Sequence, residues 1–213
     1  AYNALSDASF RVRMLDLTYR DTSGRGIERR RAGFLIESDR ELAERLALQE
    51  VDIPQVALST LDPEAITLLG LFQFMIGNTD WSLLKGRGGE SCCHNGLLLQ
   101  NPAGAYVIVP YDFDQAGLID ADYALPARGL DIRSVRQRLF RGLCTGDERL
   151  LAGIELMQTR RLLVEAQFSL NGSNKRSNRR ALDYIDDFYR ITATAEGRQE
   201  WIGEHCRASP DLW

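Results

Sequence analysis

Residues 59–80 read STLDPEAITLLGLFQFMIGNTD, a long apolar run with helix-start and helix-stop signals at its two ends. Ser59, Thr60 and Asp62 each offer a side-chain oxygen to the free N–H groups of a first helical turn, and Pro63 fits that turn. Gly77 suits the left-handed residue that commonly ends a helix. Because the apolar residues run nearly all round the predicted helix, we expect it to be buried and to present Asp80 beyond its C-terminal end.

Alternating apolar and polar residues on both sides of this helix predict two β-hairpins. The first covers residues 10–37, where FRVRMLDLTYR and RRRAGFLIE flank a turn and form half-buried strands. The second joins HNGLLLQ to AYVIVPYD through NPAG. Between them, SDRELAERLALQE predicts a helix with Ser38 or Asp39 as its N-cap. The chain is therefore expected to be α+β, with four further helices over residues 132–143, 147–170, 176–191 and 195–206.

The composition limits the class of protein. A chain of 213 residues suits one domain or one lobe of a larger one. The net charge of −4 argues against a nucleic-acid-binding groove, which needs a basic excess. No apolar run approaches the length of a membrane span, so no membrane-spanning segment is expected.

The four cysteines favour disulfides or buried thiols over a metal site. Cys92 and Cys93 are adjacent, and we expect them not to bond each other. Cys144 and Cys206 allow a bridge from a loop to the C-terminal tail. The chain lacks the CxxC and HxxxH spacings of zinc sites, which makes thiolate zinc binding the weaker interpretation.

Four polar residues stand in unusually apolar surroundings: Asp80, Asn95, Asp112 and Asp114, in GNTDW, CCHNGLLL and VPYDFDQ. Carboxylates beside apolar residues are costly unless something pairs with them, and a divalent cation is a common partner. If the second hairpin's last strand continued, Asp112 and Asp114 would lie on one face and raise each other's pKa, a cost that a cation removes.

The ordered segments GNTD, HN and VPYDFD resemble the catalytic and metal-binding segments of atypical kinase-like proteins. The likeness is to the spore-coat CotH-type kinases and, more distantly, to HipA-type kinases. SFRVRMLDLTYRDT, IGNTDWS, CCHN and VPYDFDQAGLIDADYALP look most like bacterial proteins related to CotH. The resemblance implies a kinase-like fold, with the end of the small lobe at residues 1–37 and the large lobe at residues 38–213.

The resemblance also implies roles for particular residues. Asp80 would be the catalytic carboxylate, which orients or deprotonates an acceptor hydroxyl on a protein or a small molecule. Asn95 and Asp112 would be ligands of Mg²⁺ or Mn²⁺, and Asp114 an accessory ligand. Backbone groups of residues 35–37 would border the adenine of ATP; these residues are Leu35, Ile36 and Glu37.

Three departures leave alternatives open. Asp80 and Asn95 are fifteen residues apart, so LLKGRGGES must loop out, and Asn78 competes for the ligand role. Neither Lys85 nor Lys175 stands on a small-lobe strand where a phosphate-binding lysine is expected. We therefore expect an N-terminal segment of the same protein to supply that lysine.

The rival hypotheses come from other classes of protein. One is a catalytically inactive kinase-like module that serves as a binding or scaffold domain of the cell envelope. The other, with less support, is a hydrolase that uses the same carboxylates with two metals. An extracytoplasmic location is favoured, because paired cysteines suit such a compartment.

Overall fold

Two separate antiparallel sheets contain the strands of the computed structural model, which describes residues 1–24, 26–169 and 175–207. The strands are β1 (Val12–Tyr19), β2 (Arg29–Ile36), β3 (Gln49–Glu50), β4 (Gly96–Gln100) and β5 (Tyr106–Pro110). One sheet pairs β1 with β2, and the other has the order β3-β4-β5. Both predicted hairpins are confirmed, and the fold is mixed α+β.

Helices make up most of the remaining regular structure. They are α1 (Asp39–Leu46), α2 (Pro63–Ile76), α3 (Asp147–Thr159), α4 (Arg161–Ala166), α5 (Lys175–Ala193) and α6 (Ala195–Arg198), with short helical turns at Tyr2–Ala4, Leu58–Thr60, Gln167–Ser169 and Gln199–Gly203. Within the described residues, no helix has both the length and the apolarity needed to cross a membrane.

The predicted ends of the buried helix α2 are confirmed. The Asp62 side chain accepts a hydrogen bond from the backbone N–H of Ala65 at 2.8 Å, and Gly77 ends the helix at a φ of 65°. A Cβ at Gly77 would lie 2.0 Å from the hydroxyl of Tyr184, so only glycine fits there. Side chains of α2 enter two hydrophobic clusters, one shared with α3 and α5 and one shared with β4 and β5.

The predicted helix at 132–143 is wrong, because this segment is irregular. Val135 and Phe140 are buried, while its arginines bond to backbone carbonyls of other segments, which a regular helix would not allow simultaneously. The predicted helix at 147–170 is interrupted at Arg160, which separates α3 from α4. Leu170 lies outside the described residues.

The first hairpin is more exposed than its alternating pattern predicts. Val12 is paired with Ile36 and Met14 with Phe34, and each of these four apolar side chains is at least half exposed. Val12, Phe34 and Ile36 line an apolar cavity and do not enter a packed core. The prediction of half-buried strands is therefore wrong.

The cysteines form two disulfides, one of them unexpected. Cys144 is bonded to Cys206, which ties the irregular segment to the end of the described chain. Cys92 is bonded to Cys93, against the prediction from their adjacency. The peptide bond between these two residues is cis, with the Cα atoms 3.0 Å apart. All four thiols are used in these bonds and none is a free zinc ligand.

An ion pair fastens the end of the first hairpin to α1. The Arg45 guanidinium donates to both carboxylate oxygens of Glu37 at 2.8 Å, and it also donates to the Ser9 carbonyl. The backbone N–H of Arg11 donates to the same carboxylate. Hydrogen bonding from Arg45 is the main reason that the pKa of Glu37 is lowered to about 2.

We expect Glu37→Gln to lower the free energy of unfolding by about 2 kcal/mol at pH 7, because two charge-assisted hydrogen bonds are lost. The lowered pKa means that this stabilisation is present above pH 4.5 and is lost as the pH falls towards 2. Urea denaturation at several pH values measures the difference. Glu28→Gln, which removes an exposed ion pair with Arg20, is the control and should change stability by less than about 0.5 kcal/mol. An equal loss in both variants would contradict the assignment.

Candidate functional site

Asp80 lies in a tight turn that follows α2. Its backbone N–H donates to the Asn78 side-chain oxygen at 2.9 Å, and Trp81 donates through its indole N–H to the Asn78 carbonyl. Asn78 is buried and its oxygen is already used, so it supports the turn and does not replace Asn95 as an open ligand. The Asp80 side chain is 14% exposed and faces a cleft.

Two arginines from the irregular segment support this turn from behind. Arg138 donates to the carbonyl of Met75 in the last turn of α2, and Arg141 donates to the carbonyls of Thr79 and Trp81. Helix ends leave carbonyls without internal partners, and a cation near a helix C-terminus is favourable. Arg138 gave no signal in the sequence, because only the fold brings it to the end of α2.

Asn95 returns to Asp80 despite their separation in sequence. Its side-chain amide donates to the Asp80 carbonyl at 2.7 Å and to an Asp80 carboxylate oxygen at 3.2 Å. The stretch at residues 83–91 loops out only in part: Leu83 is buried in a hydrophobic cluster, whereas residues 87–91 are exposed. His94, whose ring Nε2 is 3.2 Å from the other carboxylate oxygen of Asp80, joins the same group. From the sequence alone, a hydrogen-bonded structural histidine is the favoured interpretation of His94, with contact to phosphate or acid–base chemistry as the alternative.

Asp112 and Asp114 meet in a turn and not on one face of a strand. β5 ends at Pro110, and Asp112 has a φ of 54°, so the condition under which the two side chains would share a strand face is not met. The two residues are nevertheless close enough for the charge of Asp114 to raise the pKa of Asp112. Burial, followed by the negative charges of Asp114 and Asp80, raises the pKa of Asp112. Asp80 and Asp112 therefore share one electrostatic environment.

The donor set in this region fits a hard divalent cation. The Asn95 amide nitrogen is used by Asp80, which leaves its oxygen available, with no hydrogen bond to it from the described residues. Amide and carboxylate oxygens are the ligands that Mg²⁺ prefers. The described chain contains no group of three or more His, Cys, Asp or Glu placed to hold a metal. The candidate set is thus two carboxylates, Asp112 and Asp114, with one amide.

An apolar cavity of about 390 Å³ adjoins Asp112 and Asp114 and reaches the first hairpin through Phe34 and Ile36. The backbone N–H of Glu37 donates to the Arg11 carbonyl, so these two residues form a hydrogen-bonded pair. In an antiparallel pair of strands the neighbouring residue pair, here Val12 and Ile36, is not hydrogen-bonded. The backbone N–H and C=O of Ile36 therefore point away from β1, on the open side of β2.

Leu35 and Glu37 are placed differently from Ile36. Leu35 pairs with Arg13, and Glu37 uses its backbone N–H and its carboxylate within the protein. Of the three residues predicted to border the adenine, Leu35, Ile36 and Glu37, only Ile36 lines the apolar cavity.

A second cleft, of about 730 Å³, is lined by Asp80 and His94. Arg87, from the glycine-rich loop at residues 86–89, extends into it and pairs with the Asp80 carboxylate. Gly86 allows this loop to close, because a Cβ there would meet the backbone of Glu90 and Ser91 at 2.3–2.4 Å. Among the described residues, the two cavities share no lining residue: Asp80 lines this cleft, and Asp112 lines the apolar cavity.

We expect Asp112→Asn to raise the melting temperature at pH 7 in the absence of metal, because the amide removes a charge that is disfavoured by partial burial and by the charges of Asp114 and Asp80. The gain should be small, about 0.5 kcal/mol, since solvent screens an exposed group. Because the pKa of Asp112 is raised in the folded protein, ionisation of this carboxyl destabilises the wild type as the pH rises. The stability gained by Asp112→Asn should therefore vanish as the pH falls below 3.8. Thermal denaturation between pH 3 and 8 measures it, with Asp183→Asn on α5 as the control. Destabilisation at pH 7 would contradict the electrostatic account.

Comparison of the chain with protein-family models, with curated proteins and with solved structures finds no match. The resemblance to CotH-type and HipA-type kinases therefore stays a prediction from short segments of sequence. The geometry of the residues themselves is the ground on which a function is proposed.

Proposed function

We propose that the protein is a phosphotransferase of the atypical, CotH-like kinase type, which uses ATP with Mg²⁺ or Mn²⁺ and a hydroxyl acceptor. Asp80 is the catalytic carboxylate, while Asn95 and Asp112 hold the metal with Asp114 as an accessory ligand. The observation that carries the proposal is the hydrogen bonding of Asn95 to Asp80 across fifteen residues, beside the Asp112 carboxylate, whose pKa is raised by burial and then by the charges of Asp114 and Asp80.

Each group has a function that its surroundings favour. The Asn95 amide donates to Asp80 and turns its oxygen outward, so one side chain both positions the base and offers a ligand. Asp80 then presents a carboxylate that can accept the proton of an acceptor hydroxyl. When bound, the metal neutralises phosphate charge. A cation would also remove the repulsion that raises the pKa of Asp112.

The apolar cavity beside Asp112 suits the nucleotide base. Its walls include Phe34 and Ile36, and the outward peptide groups of Ile36 offer one donor and one acceptor to a flat heterocycle. The proposed base site thus borders the metal ligands on one side and the end of the first hairpin on the other. In this arrangement the hairpin is the end of a kinase-like small lobe, residues 1–37, and residues 38–213 form the large lobe.

The alternative is an inactive kinase-like binding or scaffold module of the cell envelope. Two observations favour it. Arg87 already occupies the Asp80 carboxylate, and no cationic side chain of the described residues lines the apolar cavity to hold a phosphate. The two disulfides suit an extracytoplasmic compartment in either case.

We expect the full protein to bind a fluorescent ATP analogue only when Mn²⁺ or Mg²⁺ is present, and Asp112→Ala to weaken that binding at least about tenfold, because a charged ligand of the metal is lost. Asp183→Ala on α5 is the matched control and should leave the affinity unchanged. Fluorescence anisotropy with and without EDTA measures both. Equal metal-dependent affinity in wild type and Asp112→Ala would remove the metal role.

Transfer of labelled phosphate separates the kinase from the scaffold. We expect Asp80→Asn to keep nucleotide binding and to reduce the transfer rate about a hundredfold or more, which is the usual contribution of a positioned base. The reaction needs no added acceptor if hydrolysis of ATP to ADP and phosphate is followed. Nucleotide binding in wild type with no turnover above that of Asp80→Asn would favour the scaffold.

A further inference from the structure

The cleft on the open side of Asp80 is strongly basic in a protein that is acidic overall. Its cationic side chains are Lys85, Arg87, Arg128 and Arg141, and Asp80 is the one carboxylate among its lining residues in the described chain. The chain as a whole has 26 basic and 30 acidic side chains. This excess of positive charge is therefore local to the cleft.

These cations differ in their ties to the protein. Arg141 is fixed by the carbonyls of Thr79 and Trp81, and burial together with the charge of Arg207 lowers its pKa to about 10, so it remains charged at neutral pH. Lys85 and Arg128 are exposed and take part in no ion pair among the described residues. Three of the four cations thus face the cleft without a carboxylate partner.

Arg87 is the fourth cation, and it is in direct contact with Asp80. Its side chain is 59% exposed, against 14% for Asp80, and it belongs to a loop with glycines at positions 86, 88 and 89. A group that competes for the Arg87 guanidinium would leave the Asp80 carboxylate available to another donor. An anion that enters the cleft is such a group, since guanidinium binds phosphate and carboxylate equally readily in bidentate geometry.

We infer that this cleft binds an acceptor whose hydroxyl stands next to an anionic group, either a phosphate monoester or a carboxylate. The inference rests on the proposed function, because it assigns the acceptor side of the same Asp80. The anion contacts Lys85, Arg87 and Arg128, and the hydroxyl lies against Asp80. Neutral and cationic acceptors are disfavoured by the same charges.

The test titrates the protein with two hydroxyl-bearing anions and follows backbone amide shifts by NMR. The probes are glycerol 3-phosphate and the peptide Asp-Glu-Ser-Asp-Glu, with glycerol and Asn-Gln-Ser-Asn-Gln as their neutral counterparts. We expect at least one anionic probe to shift residues 80–94 and 125–128, while its neutral counterpart does not. Glycerol 3-phosphate alone would identify a small phosphorylated acceptor, and the peptide alone an acidic protein segment.

The double variant Lys85→Gln/Arg128→Gln should weaken anion binding at least about tenfold, because two charged contacts are lost. Lys175→Gln/Arg179→Gln, an exposed pair on α5, removes the same charge elsewhere and should leave the affinity within about twofold. Both pairs are exposed, and unchanged melting temperatures would verify their folding. Equal binding of neutral probes, absence of binding by both anions, or equal losses in the two double variants would overturn the inference.

The titration contains neither nucleotide nor metal, so it is independent of the tests for phosphotransfer. One possible outcome is that the protein binds the anionic probes but Asp112→Ala leaves nucleotide binding unchanged. That result would contradict the kinase proposal and support the anion site. Metal-dependent nucleotide binding without any response to the anionic probes would support the kinase proposal and contradict the anion site.

Discussion

The hydrogen bonds from the Asn95 amide to Asp80 are the interaction on which the candidate site depends. They join the turn after α2 to the start of β4, two segments separated by a looped-out stretch. The backbone N–H of Ser82, which donates to the His94 carbonyl, joins the same two segments. Asn95 adds a direct contact to the Asp80 carboxylate and leaves its own amide oxygen without a hydrogen bond from the described residues.

A second constraint keeps the Asp80 turn in place. The end of a buried helix presents carbonyls that need donors, and here Arg138 and Arg141 supply them from an irregular segment. That segment is tied to the end of the described chain through Cys144 and Cys206. Charge-assisted hydrogen bonds from Arg138 and Arg141 therefore hold the Asp80 turn in place.

Local signals in the sequence predicted α2, its cap at Asp62, its end at Gly77 and both hairpins, because each depends on neighbouring residues. The helix predicted over residues 132–143 failed for the opposite reason. Its arginines recur at helix-like spacing, but they donate hydrogen bonds to carbonyls on distant segments. A local sequence pattern does not predict such bonds. The exposure of Phe34 and the Cys92–Cys93 bond likewise depend on tertiary surroundings that the sequence does not display.

The resemblance to CotH-type kinases identified Asp80, Asn95, Asp112 and Asp114 in order but not their geometry. It also left out His94 and Arg87, both of which contact the Asp80 carboxylate. These two contacts decide how the carboxylate is presented to a substrate. The basic character of the second cleft was not predicted as a whole, because Lys85 and Arg128 are far apart in sequence and Arg141 lies within the segment wrongly predicted as a helix.

The central claim is that one divalent cation binds between the Asn95 amide oxygen and the Asp112 carboxylate. Paramagnetic broadening by Mn²⁺ in the presence of a nucleotide analogue tests this most directly, because broadening falls steeply with distance from the ion. The account predicts that the side-chain amide signal of Asn95 and the backbone signals of residues 112–114 disappear first. Broadening that begins at exposed carboxylates of α3 or α5, with the Asn95 signal intact, would contradict it.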